Sequence, residues 1–379
     1  MSKRRPVILS GNPYILGHQA TSAEDLFGLS GGNTGNLAFR YGVATSLVSP
    51  VFLPLGAPPE LIRKSGDIVV LPLANQLGRH VSLGDHAERL RAIDLPVLGL
   101  GLGAQANSFD QNIELDAGTN AWLREIATRA PSDHPNIGAR GPYSRDQIAR
   151  LGWENSAIVT GCPSNFISIL PNLAAELADG FRRIPKRIAV SAGIPFIPAL
   201  SNIERHLADI VTLTDGAYIV QHGLEMIQLS RSEFDNIIND KFELCRNYIL
   251  PRATAEEFKS WCAKFSWVFN DVRVWMDFVR RFDFVVGTRF HGAMLAIQAG
   301  IPAACIAHDS RTLEMCQTMA IPACHYKDIN GPLTRHNIMD YFNYDEAAFI
   351  ETRQRLRKDY VNILQAADLE VAPSILKAA

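Results

Sequence analysis

The sequence predicts an α/β protein of two Rossmann-like domains that face a cleft. Short apolar runs alternate with amphipathic helical patterns along both halves of the chain, as in parallel sheets covered by helices. A length of 379 residues is too long for one ordinary core and comfortable for two. The alternation is interrupted at 170–187 by a proline, a short helical piece and a basic stretch. We therefore expect a first domain at 1–175, a second at 186–344 and a C-terminal helix within 345–379.

The bulk composition excludes several classes of function. A net charge of −2 argues against a nucleic-acid binder, which needs a basic surface. The six cysteines show no Cys-x-x-Cys pair, so we expect reduced thiols and no metal site. The basic N-terminus has too short an apolar run for a signal peptide, and no later stretch is long enough to span a bilayer. We expect a cytoplasmic protein without transmembrane segments.

In the first half, apolar runs predict strands at 6–10, 68–71, 96–100, 136–139 and 157–160. Helical spacing predicts helices at 37–47, 85–93, 117–129 and 143–151, the last with Pro142 in its first turn and Gly152 at its end. A long irregular loop is expected between the first strand and the glycine-rich turn at 31–36. That turn opens a helix, and it is as typical of a plain loop as of an anion or sugar site.

Gly99, Gly101 and Ala104 superficially match a dinucleotide fingerprint. The fingerprint requires a helix to begin at once, whereas this segment continues as a polar loop. We therefore interpret it as a loop at the cleft that offers Gln105 and Asn107 to a ligand.

In the second half, strands are predicted at 188–191, 217–220, 284–286 and 303–307, and helices at 203–213, at 272–282 behind an Asp271 N-cap, and at 345–366. The region 230–270 is rich in helical patterns. Trp261 and Trp267 within it are expected in the core.

The stretch 283–302 carries the strongest functional pattern. A buried strand leads through Gly287 into a helix with small residues in its first turn, and this turn carries Arg289 and His291. Free N–H groups, the helix dipole and an arginine together favour an anion. Alone, either residue is more typical of structure, but ligands of open α/β sheets bind beyond the carboxyl ends of strands. Arg140 and His222 also follow predicted strands, although each is at least as typical of a structural contact.

The segments 285–302, 138–152 and 158–163, with the glycine-rich turn, resemble the polysaccharide pyruvyltransferase family, whose Arg-x-His signature matches Arg289 and His291. The resemblance implies a GT-B-like fold with the C-terminal helix crossing back onto the first domain. It also implies a transferase that moves pyruvate from phosphoenolpyruvate onto a sugar of a polysaccharide or its oligosaccharide precursor as a ketal. The process implied is cell-surface or exopolysaccharide biosynthesis. We expect the enzyme to use no cofactor and no metal. A lipid-linked acceptor would bring the protein to the inner face of the membrane.

The resemblance implies catalytic roles for His291 and Arg289 and a donor site on the second domain. We expect the donor's anionic groups on Arg289, His291, Gly292, Arg311 and Arg140. On the acceptor side we expect Asn33, Gly35, Asn36, Gln105 and His222. Two positions depart from the family pattern: relatives commonly carry aspartate where Cys162 stands, and usually a lysine near Arg311. Arginine keeps that charge in bidentate form.

Two alternatives remain at this point. The first is a GT-B glycosyltransferase that uses a nucleotide sugar. Many such enzymes bind ribose with a glutamate where this chain has Leu295, which cannot accept a hydrogen bond. The second is a non-catalytic glycan- or phosphate-binding protein on the same scaffold, because the sequence alone identifies no carboxylate base.

Overall fold

The computed structural model describes residues 3–106 and 108–377, and within them lie two parallel sheets of six strands each. The first sheet has the order β2-β1-β3-β4-β5-β6 and comprises β1 (Pro6–Leu9), β2 (Val51–Leu53), β3 (Ile68–Pro72), β4 (Val97–Leu102), β5 (Ile137–Ala139) and β6 (Ala157–Val159). The second has the order β12-β11-β10-β7-β8-β9 and comprises β7 (Ile188–Ser191), β8 (Ala217–Ile219), β9 (Ser266–Trp267), β10 (Phe284–Gly287), β11 (Ala303–Ala307) and β12 (Ala323–His325).

Helices connect the strands and cover the sheets. Those up to the end of the first sheet are α1 (Ala23–Ser30), α2 (Asn36–Ser46), α3 (Pro59–Ser65), α4 (His86–Ile93), α5 (Ala117–Thr128) and α6 (Pro142–Ile148). Those that follow are α7 (Leu173–Phe181), α8 (Ser201–Leu213), α9 (Leu224–Ser230), α10 (Asn239–Ile249), α11 (Ala255–Phe265), α12 (Val272–Val279), α13 (Phe290–Gln298), α14 (Ser310–Thr318), α15 (Glu346–Ala366) and α16 (Pro373–Lys377). None of the helices in the described ranges combines the length and the apolar character that crossing a membrane requires.

The strand order locates one switch point in each sheet. Counted from β7, the second sheet has the Rossmann order 3-2-1-4-5-6, so the direction of winding reverses between β7 and β10. In the first sheet it reverses between β1 and β3. Ligands of such sheets bind outside the carboxyl ends of the strands at these points.

Both sheets are buried on their two faces, as parallel sheets with helical crossovers require. Every residue of β1, β3, β4, β7, β10 and β11 is buried. The near-continuous apolar runs that predicted these strands are therefore the cores of the two domains, and the predicted fold class is confirmed.

The structure corrects the prediction at the edges. The expected irregular loop after β1 contains α1, whose N-cap Ser22 forms a capping box with Asp25. Strands β2, β9 and β12 were not predicted, and each lies at a sheet edge. Trp261 is buried as expected, but Trp267 lies on the edge strand β9 and is 41% exposed, so its assignment to the core was wrong.

Helix α15 fastens the C-terminal part of the chain back onto the first domain. The buried Tyr360 hydroxyl is 3.1 Å from Ser46 Oγ on α2, and its ring packs 5.0 Å from that of Phe166. Arg353 donates to the carbonyl oxygen of Asn165. The crossing that the family resemblance implied is therefore present.

The N-cap of α15 provides a test of this attachment. Asp345 accepts the backbone N–H of Ala348 at 3.0 Å. We expect Asp345→Ala to lower the free energy of unfolding by about 1 kcal/mol, because one donor of the first turn loses its partner. Urea unfolding measures it, with Glu351→Ala, exposed on the same helix, as the control. Equal stability of the two variants would contradict the capping role.

Candidate functional site

Cationic and polar side chains collect at the carboxyl edge of the second sheet. Arg289 follows β10, Arg311 follows β11 and His222 follows β8, three strands that lie close together in the order β11-β10-β7-β8. They surround the switch point between β7 and β10. The sheet therefore brings together residues that are up to 89 positions apart in sequence.

The turn between β10 and α13 is fixed by contacts to β7 and β8. Ser191 Oγ at the end of β7 donates to the carbonyl oxygen of Arg289 at 2.8 Å, and Gln221 Nε2 donates to Ser191 Oγ at 2.6 Å. Gly292 packs onto this pair so closely that a Cβ atom there would lie 2.2 Å from Ser191 Oγ. The glycine is thus explained by packing of α13 against β7.

The Arg289 guanidinium is a buried cation with unused donors. Its Nε and Nη2 atoms are inaccessible to solvent and have no hydrogen-bond partner among the described residues. Burial, and then the neighbouring Arg311, lower the pKa of Arg289 to about 10, so it remains protonated at neutral pH. Buried donors of this kind are rare in folded proteins, and they indicate a place for an anion.

Arg311 and its neighbours form the adjacent part of the site. Asp309 caps α14 by accepting from the N–H of Thr312 at 2.7 Å, and Arg311 Nη2 lies 3.3 Å from Asp309 Oδ2. Within the described residues, Arg311 Nε is buried without a partner. His308 Nε2 lies 3.7 Å from the same Asp309 oxygen. Asp309 therefore pairs with Arg311 and lies near His308, whose pKa is lowered chiefly by burial.

Glu204 on α8 is a buried carboxyl group behind this turn. Its Oε1 accepts from the N–H of Gly193 at 2.9 Å and from the Tyr218 hydroxyl at 2.5 Å. Its Oε2 has no partner in the described chain, nor has the hydroxyl of Thr288, the residue before Arg289. Burial raises the pKa of Glu204, while its hydrogen bonds and the charge of Arg289 lower it. The net effect is a raised pKa, and the carboxyl group lies within electrostatic range of Arg289.

His291 projects from α13 to the interface with the first domain. Its Nε2 lies 3.7 Å from Cys162 Sγ, and its ring lies 5.8 Å from that of Phe39 on α2. Ser164 Oγ donates to the Cys162 sulfur at 3.0 Å. Burial, with Arg140, Arg311 and Arg289 nearby, lowers the pKa of His291 well below its ordinary value. The imidazole of the free protein is therefore neutral at pH 7.

Arg140 is buried in the first domain, on the far side of His291. Its Nε donates to the carbonyl oxygen of Gly101 at 2.7 Å and its Nη2 to that of Leu73 at 3.3 Å. The guanidinium also lies 5.5 Å from the ring centroid of Phe39. Its charge acts on His291, but these nitrogens are occupied by protein contacts rather than open for a donor anion.

The glycine-rich turn docks directly onto the second domain. Asn33 forms an antiparallel bridge with His222, and the N–H of Thr34 donates to the carbonyl oxygen of Gln221 at 2.8 Å. A Cβ atom on Gly35 would lie 2.7 Å from Gln221 Oε1 and 3.3 Å from His291 Cβ. The turn therefore reaches His291 through its backbone.

The side chains of the turn mostly stabilise the turn itself. Asn33 Oδ1 accepts the N–H of Gly35 at 2.8 Å, and Asn36 Nδ2 donates to the Ser30 carbonyl oxygen at 3.0 Å. Burial, with Arg289 and Arg311, lowers the pKa of His222 to about 4, so its ring is neutral.

The loop after β4 was also predicted to contact a ligand. Gln105 in this loop accepts a hydrogen bond from Asn75 of the first domain. The predicted contact of Asn107 falls outside the described residues.

Sequence reasoning missed Glu204, Ser191, Gln221 and Phe39. For Glu204 a signal was available: α8 buries positions 203, 204, 207, 208 and 211, so a glutamate stands in its apolar stripe. The contact between Cys162 and His291 joins residues 129 positions apart, so no local sequence pattern predicts it.

Three comparisons relate the chain to known proteins. A family model described as "Polysaccharide pyruvyl transferase" matches residues 30–310, from the end of α1 to the start of α14. Among curated protein sequences there is no match.

Solved structures with a similar fold include the S. aureus MnaA–UDP co-structure, with 10% identity, 100% of this chain and 92% of that chain covered, and a TM-score of 0.44. UDP-N-acetylglucosamine 2-epimerase from Rickettsia bellii has 10% identity, 97% coverage of both chains and a TM-score of 0.42. UDP-GlcNAc 2-epimerase from Methanocaldococcus jannaschii with UDP-GlcNAc and UDP has 11% identity, 94% and 99% coverage and a TM-score of 0.42. Similarity at this level carries no information about substrate.

The contact between Cys162 and His291 predicts how the histidine responds to a charge at position 162. We expect Cys162→Asp to raise the pKa of His291, because a carboxylate at this distance stabilises the imidazolium form. Histidine NMR titration measures it. Cys162→Asn, similar in shape but uncharged, is the control, and equal pKa values in both variants would contradict the expected coupling.

Proposed function

This chain belongs to the family of polysaccharide pyruvyl transferases, and we propose that its donor is phosphoenolpyruvate. The acceptor we propose is a pair of hydroxyls on one sugar of a polysaccharide or of its oligosaccharide precursor, free or lipid-linked. The product is a pyruvate ketal. The process we assign is the biosynthesis of cell-surface polysaccharide or exopolysaccharide.

One observation carries the proposed donor: the buried and unpartnered guanidinium donors of Arg289 beside Arg311. Phosphoenolpyruvate has a phosphate and a carboxylate, and arginine binds either group with two parallel hydrogen bonds. The start of α13 adds free N–H groups to the same place. Arg311 pairs with Asp309, whereas two nitrogens of Arg289 have no partner among the described residues, and a compact dianion or trianion would supply one.

The reaction requires a proton, charge stabilisation and a leaving group. Protonation of the methylene carbon makes C2 electron-poor, and an acceptor hydroxyl then forms a bond to C2 and loses its proton. The bond from C2 to the phosphate oxygen breaks and inorganic phosphate leaves. The second hydroxyl then bonds to C2 and loses its proton, which the phosphate takes up, and the ketal is complete. Arg289 and Arg311 would stabilise the departing phosphate, because charge-assisted hydrogen bonds strengthen as negative charge develops on its oxygens.

His291 is assigned as the proton donor or as a phosphate ligand. Free, it is neutral, because burial and three arginines disfavour its charged form. A bound phosphate close to the ring would oppose these effects and raise its pKa. The histidine would thus acquire its proton when the donor is in place, which confines protonation to the loaded site.

We assign the acceptor to the first-domain side of His291, at the turn that holds Asn33, Gly35 and Asn36, with Gln105 and His222 nearby. Gly35 supports this assignment, because a Cβ atom at this position would lie only 3.3 Å from His291 Cβ. The side-chain oxygen of Asn33 and the side-chain nitrogen of Asn36 form hydrogen bonds within the turn. Backbone groups would therefore provide much of the contact to the acceptor.

Family membership favours pyruvyl transfer over the two alternatives. Glycosyl transfer from a nucleotide sugar is further disfavoured by Leu295, which is fully buried in α13 and cannot reach a ribose. The direct experiment incubates the protein with phosphoenolpyruvate and an oligosaccharide acceptor, and detects phosphate and the ketal methyl group by NMR. Consumption of a nucleotide sugar, with none of phosphoenolpyruvate, would overturn the proposal.

Arg289→Ala is expected to weaken phosphoenolpyruvate binding by about 2 kcal/mol or more, roughly thirtyfold, because a charge-assisted pair is lost. Arg289→Lys should also be impaired if the contact is bidentate. Calorimetry measures the affinity, and Arg281→Ala, an exposed arginine of the same domain, is the control. Unchanged affinity in a folded Arg289→Ala variant would remove this residue from the site.

His291→Gln is expected to retain donor affinity but to lose turnover by roughly a hundredfold or more if the histidine is the acid. A phosphate ligand would instead lose affinity and rate together. Steady-state constants and a wild-type pH–rate profile distinguish the roles, with His336→Gln, an exposed histidine, as the control. Turnover near that of the wild type would exclude His291 as the proton donor.

A further inference from the structure

A separate cavity of about 180 Å³ lies in the first domain, at its own switch point. Leu9 and Ser10 at the end of β1 line one side, and Leu71 and Pro72 of β3 line the other. This is the position at which a sheet of this order binds a ligand. Asn36 also lines it, so the cavity adjoins the proposed acceptor side, but the transfer reaction proposed above assigns no ligand to its interior.

The wall of the cavity is mainly apolar. Besides Leu9, six apolar side chains of the wall are each at most 5% exposed: Phe39, Leu71, Leu73, Leu90, Ile93 and Trp122. An engineered apolar cavity of about 150 Å³ holds one benzene molecule. The cavity therefore has room for one ring or a short branched chain.

The polar part of the lining includes two arginines, Arg40 on α2 and Arg89 on α4, together with Ser10, Asn36, Gln76 and His86. Arg40 Nη1 donates to the carbonyl oxygen of Leu29 at 3.1 Å, and burial lowers the pKa of Arg40 to about 10. Arg89 donates to the carbonyl oxygen of Ala57, while its Nε is buried and, in the described chain, unpartnered. Within that same part of the protein, neither arginine forms an ion pair with a carboxylate. Two uncompensated cations beside an apolar space are complementary to an anion with an apolar body.

The cavity shares a wall with the candidate site. Phe39 lines the cavity, and its ring lies 5.8 Å from the ring of His291. A ligand in the cavity would therefore contact Phe39, the side chain that packs against His291.

We infer that this cavity binds a small amphiphilic anion, namely one apolar ring or short branched chain that ends in a carboxylate or a phosphate. The apolar part lies among the six side chains, and the anionic end binds Arg40 and Arg89. Such a group could belong to the hydrocarbon phosphate of a lipid-linked molecule or to a free small acid.

The test titrates four probes by calorimetry and tryptophan fluorescence, which Trp122 makes sensitive to the cavity. Isopentyl phosphate and phenylacetate carry both features, whereas isopentanol lacks the charge and inorganic phosphate lacks the apolar body. We expect at least one of the first two to bind at least tenfold more tightly than both controls. Preference for isopentyl phosphate identifies the lipid-phosphate source, and preference for phenylacetate identifies the free acid. Phosphoenolpyruvate is absent throughout, so the outcome is independent of the proposed transfer reaction.

Variants locate the binding. Arg89→Gln should weaken the better probe about tenfold or more, since one charge-assisted contact is lost. Arg91→Gln on the same helix is the matched control, because Arg91 pairs with Glu125 outside the cavity lining. Leu55→Glu places a negative charge on the exposed rim and should also weaken binding, unlike Leu61→Glu, which is similarly exposed but does not line the cavity. Equal binding by Arg89→Gln and wild type, equal binding of isopentanol, or no binding of either anion overturns the inference.

Discussion

The arrangement of the site depends on holding a charged guanidinium inside the protein without a bound anion. A buried cation is unfavourable unless it is paired, and Arg289 has two nitrogens without partners in the described structure. The fold tolerates this because the backbone around it is fixed by strong contacts, above all the hydrogen bond from Ser191 to the Arg289 carbonyl oxygen. Behind it lies the buried carboxyl group of Glu204, which accepts hydrogen bonds from Gly193 and Tyr218. The guanidinium is thereby ready for a ligand, since little of it must be reoriented when one binds.

The two domains lie close together at this site, and contacts from the first domain add to those within the second. The turn around Gly35 lies against Gln221 and His291, and Glu314 of α14 accepts both the N–H and the hydroxyl of Ser144 at 2.8 Å. The turn covers His291 from the first-domain side, and burial is the main cause of the lowered pKa of its imidazole. A low local dielectric is what allows Arg140, Arg289 and Arg311 to act on the imidazole together.

The sequence was most informative where a local pattern determines the result. Strand cores such as β7 and β11 are apolar on both faces, and helices such as α13 begin and end at recognisable residues, so their limits could be read directly. The edge strands have only two or three residues, and their existence depends on a neighbour distant in sequence. Within the site, Arg289 and His291 were recognisable because both occupy one turn. The position of Cys162 and the carbonyl contacts of Arg140 depend on tertiary packing, which a single sequence does not encode in any local spacing.

The division of the proposed ligand contacts between the sheets has a consequence for divergence within such a fold. Arg289, Arg311 and His308 all come from turns of the second sheet, whereas the switch-point cavity and the glycine-rich turn belong to the first. Substitutions on α2 or α4 can therefore alter what the first domain accommodates while the other binding surface stays intact. Phe39 and Gly35 are exceptions, because each contacts His291 from the first domain. Ligand specificity can therefore change on one side of the cleft with little effect on the other. Substitution of Phe39 or Gly35 would instead affect both sides.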